Sequence, residues 1–360
     1  MAQLNEYKCP KCGGALRFDA NTNQIVCDYC DSFFDPAVFF DSDLSLGEND
    51  SDDDGFIENV ANTWADGETD GLYTYICKSC SGEIVGDETM AATSCPYCGN
   101  PVVISGAFTG KLRPDLVIPF KLDKDQAVRS FSEHLKGKAL LPKVFKNENK
   151  IKEIRGIYVP FWIFDTDTCG NYKYTTTTSR SWSDKYYDYK TTSYYKVIRY
   201  GQLSYKGIPV NSAYKIDDRM MESLEPFYLN EAVPFQTAYL AGYFADKFDV
   251  DTKISWERSK ERVANTSGAF FMNTVKGYET VNQDSGEVIF EDASAKYALF
   301  PIWLLSAEWN GNIYRFAMNG QTGKFVGDLP MDGKAYALWM FLLTLGFSAL
   351  AFLISFLLFN

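Results

Sequence analysis

Three patterns of apolar and polar positions divide this chain of 360 residues. The plainest is at the end, where 335–359 reads AYALWMFLLTLGFSALAFLISFLLF, twenty-five positions without a charge. At a helical rise of about 1.5 Å per residue such a run reaches about 37 Å, beyond the roughly 30 Å hydrocarbon core of a bilayer. The run predicts a transmembrane helix, with Tyr336 and Trp339 at interfacial depth. Thr344, Ser348, Ala351 and Ser355 recur at 4, 3, 4 spacing and share one face. Small residues there would let a partner helix approach closely, or would bond their own backbone carbonyls.

A second pattern fills 111–330. Ala127, Phe131 and Leu135 at helical spacing predict a helix over 125–135, and a second is expected over 256–271. Strand signals dominate elsewhere. YVPFWIFD (158–165) and ALFPIWLLS (298–306) share a Pro-x-Trp core, and each follows a helix candidate. Each also precedes a Gly-Asn turn and an aromatic strand, at 169–175 and 310–318. The expectation is a diverged internal duplication within a strand-rich α+β domain. Between the halves, 172–205 is crowded with Thr and Tyr and predicts a long hairpin turning at 183–184. Its tyrosines could form a binding surface, though packing within the sheet is the favoured reading.

The third pattern is in the cysteines. Eight of nine form C-x-x-C pairs: Cys9 with Cys12, Cys27 with Cys30, Cys77 with Cys80, and Cys95 with Cys98. Fourteen residues separate the pairs within each set, an internal repeat that defines two small units at 5–36 and 72–105. Four thiolates satisfy Zn2+ tetrahedrally, so two structural zinc ribbons are predicted. Full occupation by sulfur leaves no position for a metal-bound water, which argues against metal catalysis. An iron site of rubredoxin type or a redox dithiol is the competing reading. Gly13 and Gly99, each following a knuckle's second cysteine, suit the positive φ such turns take. Between the ribbons, 37–71 is acidic and reads as a flexible linker, within which Phe56, Ile57 and Trp64 could dock a short helix.

Charge narrows the function. The formal net charge is -12 and the pI near 4.7, against a sequence-independent nucleic-acid binder. Each ribbon is itself acid-rich, and a four-thiolate zinc adds about two negative charges. Protein recognition is therefore favoured over phosphate binding. One basic cluster exists: Lys136, Lys138, Lys143, Lys146, Lys150, Lys152 and Arg155. It could meet anionic lipid headgroups, with a solvated loop as the plainer reading. The opening residues carry no apolar h-region, paired thiols suit a reducing compartment, and Lys334 closes the near side of the apolar run. Together they place the bulk of the chain on the cytoplasmic side. Catalytic signals are sparse. His134 reads as a surface residue, Cys169 as a small buried or turn residue, and Asp165 and Asp167 as turn residues rather than a cation site.

Beyond these readings, the paired ribbons, the apolar tail and five segments resemble a known bacterial family. The segments are VIPFKL (117–122), YVPFWIFD, YLAGYFAD (239–246), LFPIWLL (299–305) and MNGQTGKFVGDLP (318–330). The family comprises the TFIIB-type zinc-ribbon-containing membrane proteins, YdjG-like, some of them labelled primosomal helicase-like. No helicase motif is visible in this sequence. The resemblance implies a scaffold that brings an SPFH-domain or phage-shock-protein-A-like partner to the membrane in envelope stress. The expected protein is thus a non-enzymatic, single-pass adapter on the cytoplasmic face, the alternative being a membrane-associated nucleic-acid-binding ribbon protein.

Overall fold

A computed structural model describes residues 9, 11–12, 14, 16–19, 22, 24–27, 29–34, 50–51, 56–58, 63–87, 94–108, 110, 112–147 and 151–359. Of the expected linker at 37–71, residues 37–49, 52–55 and 59–62 lie outside these, as do Gly13 and Lys150. Trp64 lies within them, half-buried, its ring set edge-on to Phe108 and Phe235. It stands in irregular chain just before the turns that begin at residue 66, and Phe56 and Ile57 lie in a strand, so no docked helix forms there among the described residues.

The strands fall into two sheets. β1 (Leu16–Asp19), β2 (Gln24–Cys27) and β3 (Phe33–Phe34) make a small antiparallel sheet that carries the first ribbon. The short β4 (Asp50–Ser51) and β5 (Phe56–Glu58) join a large sheet with β6 (Leu72–Cys77), β7 (Glu83–Asp87) and β8 (Val102–Ala107) of the second ribbon. Its centre is two long strands, β10 (Arg155–Ser183) and β14 (Thr280–Trp309), with β9 (Leu116–Val117) and β11 (Asp188–Asn211) beside them. β12 (Val233–Pro234), β13 (Phe244–Ala245), β15 (Asn312–Asn319) and β16 (Phe325–Gly327) complete it. The second ribbon is therefore no separate bead. β13 pairs with β10 on one side and β7 on the other, so the ribbon's hairpin extends the main sheet.

β10 and β14 pair antiparallel along almost their whole length. Their apolar runs are continuous because both faces are covered. Tyr158, Trp162 and Phe164 pack into one core, while Ile157, Val159, Phe161 and Ile163 pack into the other. A proline inside such a strand removes a ladder donor, and each of the two stands where its neighbouring strand has stopped. Phe161 is the first β10 residue paired with β11, and Ile302 the first β14 residue paired with β15. Pro160 and Pro301 each lie one residue earlier, and their carbonyls accept the N–H of Ser212 (3.0 Å) and Gly320 (2.8 Å).

The two halves match contact for contact. Asn211 and Asn319 end the return strands, and each accepts the N–H two residues on, from Ala213 (3.1 Å) and Gln321 (2.9 Å). Trp162 and Trp303 donate from Nε1 to Val250 O and Leu122 O, both at 3.1 Å. Those carbonyls immediately precede the N-capping residues Asp251 and Asp123 of α3 (Thr252–Asn273) and α1 (Lys124–Leu135). The two expected helices thus exist, but they are exchanged in space. α1 precedes β10 in sequence and packs through Phe131 on Phe316 and Phe325 beside β14, while α3 sets Trp256 against Phe164 of β10. One expected turn fails. Asn310-Gly311 closes the β14–β15 hairpin with φ of 51° and 77°, whereas Gly170-Asn171 runs straight through β10, paired to both neighbours.

Beyond the core, β10, β11 and the first part of β14 form an arm. At about 3.3 Å per residue β10 alone is roughly 95 Å long. The tip turns at 184–187, where Asp184 Oδ1 accepts the N–H of Tyr186 and Tyr187, both at 2.8 Å. Burial divides the tyrosines: Tyr172 and Tyr174 are covered, while Tyr186, Tyr187, Tyr194 and Tyr200 are exposed, so packing within the sheet accounts for only part of the stripe. A short helix α2 (Asp218–Leu224) lies against β16 and β15. The last element, α4 (Gly333–Phe359), is long and apolar enough to cross a membrane, and side chains 336–355 are all exposed. Thr344 Oγ1 donates to Met340 O (2.8 Å), so its hydroxyl is served by its own helix.

Candidate metal centres

Each set of four cysteines converges. Cys9, Cys12, Cys27 and Cys30 form one group, Cys77, Cys80, Cys95 and Cys98 the other, with all sulfurs of a group within 4.8 Å of one another. Sulfur pairs stand 3.5 Å (Cys9–Cys30), 3.4 Å (Cys12–Cys27), 3.4 Å (Cys77–Cys98) and 3.7 Å (Cys80–Cys95) apart. A disulfide would need about 2.05 Å. Four sulfurs about 2.3 Å from a central zinc would be spaced about 3.8 Å, close to what is found. The donor set and spacing fit a tetrahedral metal ion.

Local backbone geometry explains the convergence. In each knuckle the N–H of the first cysteine bonds the carbonyl five residues on: Cys9 to Gly14 (2.8 Å), Cys27 to Ser32 (3.0 Å), Cys77 to Gly82 (2.9 Å), Cys95 to Asn100 (2.7 Å). The residue after the second cysteine takes positive φ in the three knuckles described there, at Asp31 (49°), Ser81 (55°) and Gly99 (77°). Glycine suits this position but is not required. The turn also aims donors at sulfur. Lys11 N–H lies 3.4 Å from Cys9 Sγ, and Asn100 Nδ2 3.5 Å from Cys98 Sγ. The Ser32 hydroxyl is the main cause holding the Cys30 thiol down at about 6. At Cys98 burial pushes the thiol up, but the backbone and side-chain donors of Asn100 outweigh it and lower it to about 7. Burial pushes the Cys80 and Cys95 thiols up instead, so a bound metal ion would be what keeps every sulfur of that centre as thiolate.

The two centres differ in their surroundings. The knuckle 95–98 is buried in the domain. Tyr97 Oη donates to Asp246 Oδ2, and the Tyr97 carbonyl accepts from Ser306 Oγ (3.0 Å) and Arg315 Nε (3.0 Å). Ser306 also reaches Pro96 O (2.9 Å), and Lys215 Nζ donates to Cys80 O (3.1 Å). Burial pushes the Asp246 carboxyl up to about 7, with the Tyr97 hydroxyl pulling it back. The first ribbon instead leaves Cys12, Cys30, Tyr29 and Phe33 exposed. Sequence reading found all eight sulfurs but not this clamp. Its one visible signal was Asp246, an acid at the end of the otherwise apolar YLAGYFAD.

Other candidates resolve into structure. Asp165 Oδ1 accepts the Gly207 N–H (2.6 Å) at the β10–β11 irregularity. Cys169 is a buried strand residue 3.6 Å from Gln202 Nε2. His134 is exposed, 2.9 Å from Lys138 Nζ and with its ring against Phe325. The MNGQTGK segment is a clamp: Asn319 Nδ2 donates to Leu224 O and Pro226 O, both 3.1 Å, and Gln321 Oε1 accepts Tyr228 N–H (2.8 Å). A cavity of about 360 Å³ lies between the second ribbon and the domain, walled by Trp64, Leu72, Val85, Phe235, Asp246 and Tyr297, without Asp165 or Asp167.

No family model matches the chain, and no solved structure does. The chain is 31% identical over 333 residues, 92% of each protein, to the uncharacterized protein YdjG of Bacillus subtilis (strain 168). Likeness of that extent makes this chain a member of the YdjG family.

Proposed function

We propose that this protein is a non-enzymatic, single-pass membrane adapter of TFIIB-type zinc-ribbon character, which recruits a soluble protein partner to the cytoplasmic face. The observation that carries the reading is the pairing of two four-sulfur centres with an apolar helix exposed over 336–355. With four cysteines on each Zn2+, no coordination position is left for a substrate, and the metal serves to fold a small unit. An apolar helix exposed over 336–355 has only lipid or another helix to cover it.

Orientation has its own support. The Asp332 N–H bonds Leu140 O (2.8 Å), so the entrance to α4 is tied to the segment bearing Lys136, Lys138, Lys143 and Lys146. Lysines at the near end of a membrane helix favour the cytoplasmic side and can meet anionic headgroups, each contributing about 1 kcal/mol. A partner of SPFH-domain or phage-shock-protein-A-like type, in envelope stress, fits such an adapter.

The test is co-purification of the full chain from native membranes, beside a variant lacking residues 1–36. A cut at 105 would remove β6, β7 and β8 from the main sheet and is no clean control. The adapter reading expects a stoichiometric protein partner. Submicromolar, steeply salt-dependent binding of DNA or RNA to the detergent-solubilised chain would favour the nucleic-acid alternative instead.

A further inference from the structure

We propose that the first ribbon is the recognition end of the adapter and that Tyr29 is its anchor. Its ring would enter a partner protein that offers a carboxylate to Tyr29 Oη and a cationic or hydroxyl donor to the Tyr29 carbonyl. The proposal rests on the adapter reading above and adds which ribbon binds and what chemistry the partner presents.

The chain carries its own template for such a contact. Cys27-Asp28-Tyr29-Cys30 and Cys95-Pro96-Tyr97-Cys98 place a tyrosine at the same position of the second knuckle. In both ribbons that ring lies over the glycine five residues past the ribbon's first cysteine. A Cβ on Gly14 would come 2.6 Å from Tyr29 Cδ2, and one on Gly82 3.1 Å from Tyr97 Cδ2. The knuckles match, yet Tyr97 is 1% exposed and Tyr29 78%. What covers Tyr97 is a buried carboxylate on the hydroxyl, with a serine and an arginine on the carbonyl. A ring held by a metal knuckle loses little freedom on being covered, as suits an interface anchor. Phe33, 56% exposed on β3, widens the apolar area of the same ribbon.

Charge identifies the occupant further. The second ribbon, with its tetrathiolate, is met by cations around the central acid: Arg315 on Tyr97 O, Lys215 on Cys80 O, Lys247 on Glu83. The first ribbon carries the same centre and an exposed Asp31, so its partner needs the same arrangement of basic groups around one acceptor. A second copy of this chain does not supply it, because that receptor already holds its own Tyr97.

The test places the photo-cross-linker p-benzoylphenylalanine at position 29 of the full chain in its native membrane. Position 214, where Tyr214 is 84% exposed on the domain, is the control. The expected result is one protein adduct from position 29 and none from 214, with the cross-linked partner peptide bearing an acidic residue flanked by Arg or Lys. Co-purified partner should fall about tenfold in Tyr29→Ala and about threefold in Tyr29→Phe at unchanged zinc content. If Tyr29→Ala loses zinc, Tyr29→Phe, which keeps the ring over Gly14, decides. Adducts to lipid, to nucleic acid or to the chain's own domain would overturn the proposal. Full partner retention in both variants, with adducts from 214, would sink it while leaving the adapter reading intact. No protein adduct from either position and no co-purifying partner would end the adapter reading itself.

Discussion

Tyr97 donates its phenolic hydrogen to the carboxylate of Asp246, 149 positions further along the chain, and both groups are shut off from solvent. This bond joins the cysteine knuckle 95–98 to the residue that follows β13, the strand that hooks the second ribbon onto the main sheet. The knuckle and the domain therefore share one buried contact. Tyr97→Phe leaves Oδ2 of a buried carboxylate without its phenolic donor and should cost about 2–3 kcal/mol. Tyr29→Phe, on an exposed ring, should stay within about 0.5 kcal/mol. Chemical denaturation of the two variants, zinc-loaded, checks the contrast.

The same pair sets a pH dependence. Burial raises Asp246 to about 7 in the folded protein, above the ordinary 3.8 that it regains on unfolding. The folded state therefore holds this proton more tightly, and the group's contribution is full at low pH and lost as pH rises through about 7. Thiolate ligation by zinc pulls the other way, so the difference between proteins is the clean quantity. Relative to Asp246→Asn, the natural chain should lose stability between about pH 4 and pH 7 and stay level above that. A constant difference across that range would remove the buried carboxylate from the account.

The two centres should fail differently. Cys95 is 2% exposed within the core that includes Ile157, Phe161 and Phe300, so Cys95→Ser should lower the main thermal transition by 10 °C or more, about 3–5 kcal/mol. Cys12 lies on an exposed knuckle, so Cys12→Ser should release one zinc and leave that transition in place. Calorimetry with parallel metal analysis separates the outcomes.

Gly320 holds the second half of the duplication closed. A Cβ there would stand 2.6 Å from the Phe120 ring and 2.9 Å from the Pro301 carbonyl, which is backbone and cannot swing aside. Gly320→Ala should cost about 1–3 kcal/mol. Gly106→Ala on β8, with open space around it, should cost far less, and urea midpoints of the two variants test the difference.

How far the sequence could be read follows from which interactions are local. Knuckle sulfurs, the helices expected over 125–135 and 256–271 and the uncharged run are set by neighbours within a few positions and are visible as pattern, though the second helix starts four residues earlier than its pattern does. The exchange of α1 and α3 between the two halves is not local. Nothing in either helix states which Pro-x-Trp strand it will cover. Gly170-Asn171 looked like a turn because its composition suits one, but pairing on both sides overrode that preference. The second ribbon looked like its twin by spacing, and only Asp246, Ser306 and Arg315, far along the chain, make one knuckle buried and the other open.

Zinc-edge X-ray absorption and elemental analysis of the reduced, purified full chain test the central claim most directly. Two zinc ions per chain, each with four sulfur neighbours at about 2.3 Å, are the predicted result. Metal-free protein whose eight paired cysteines are all free thiols would contradict it.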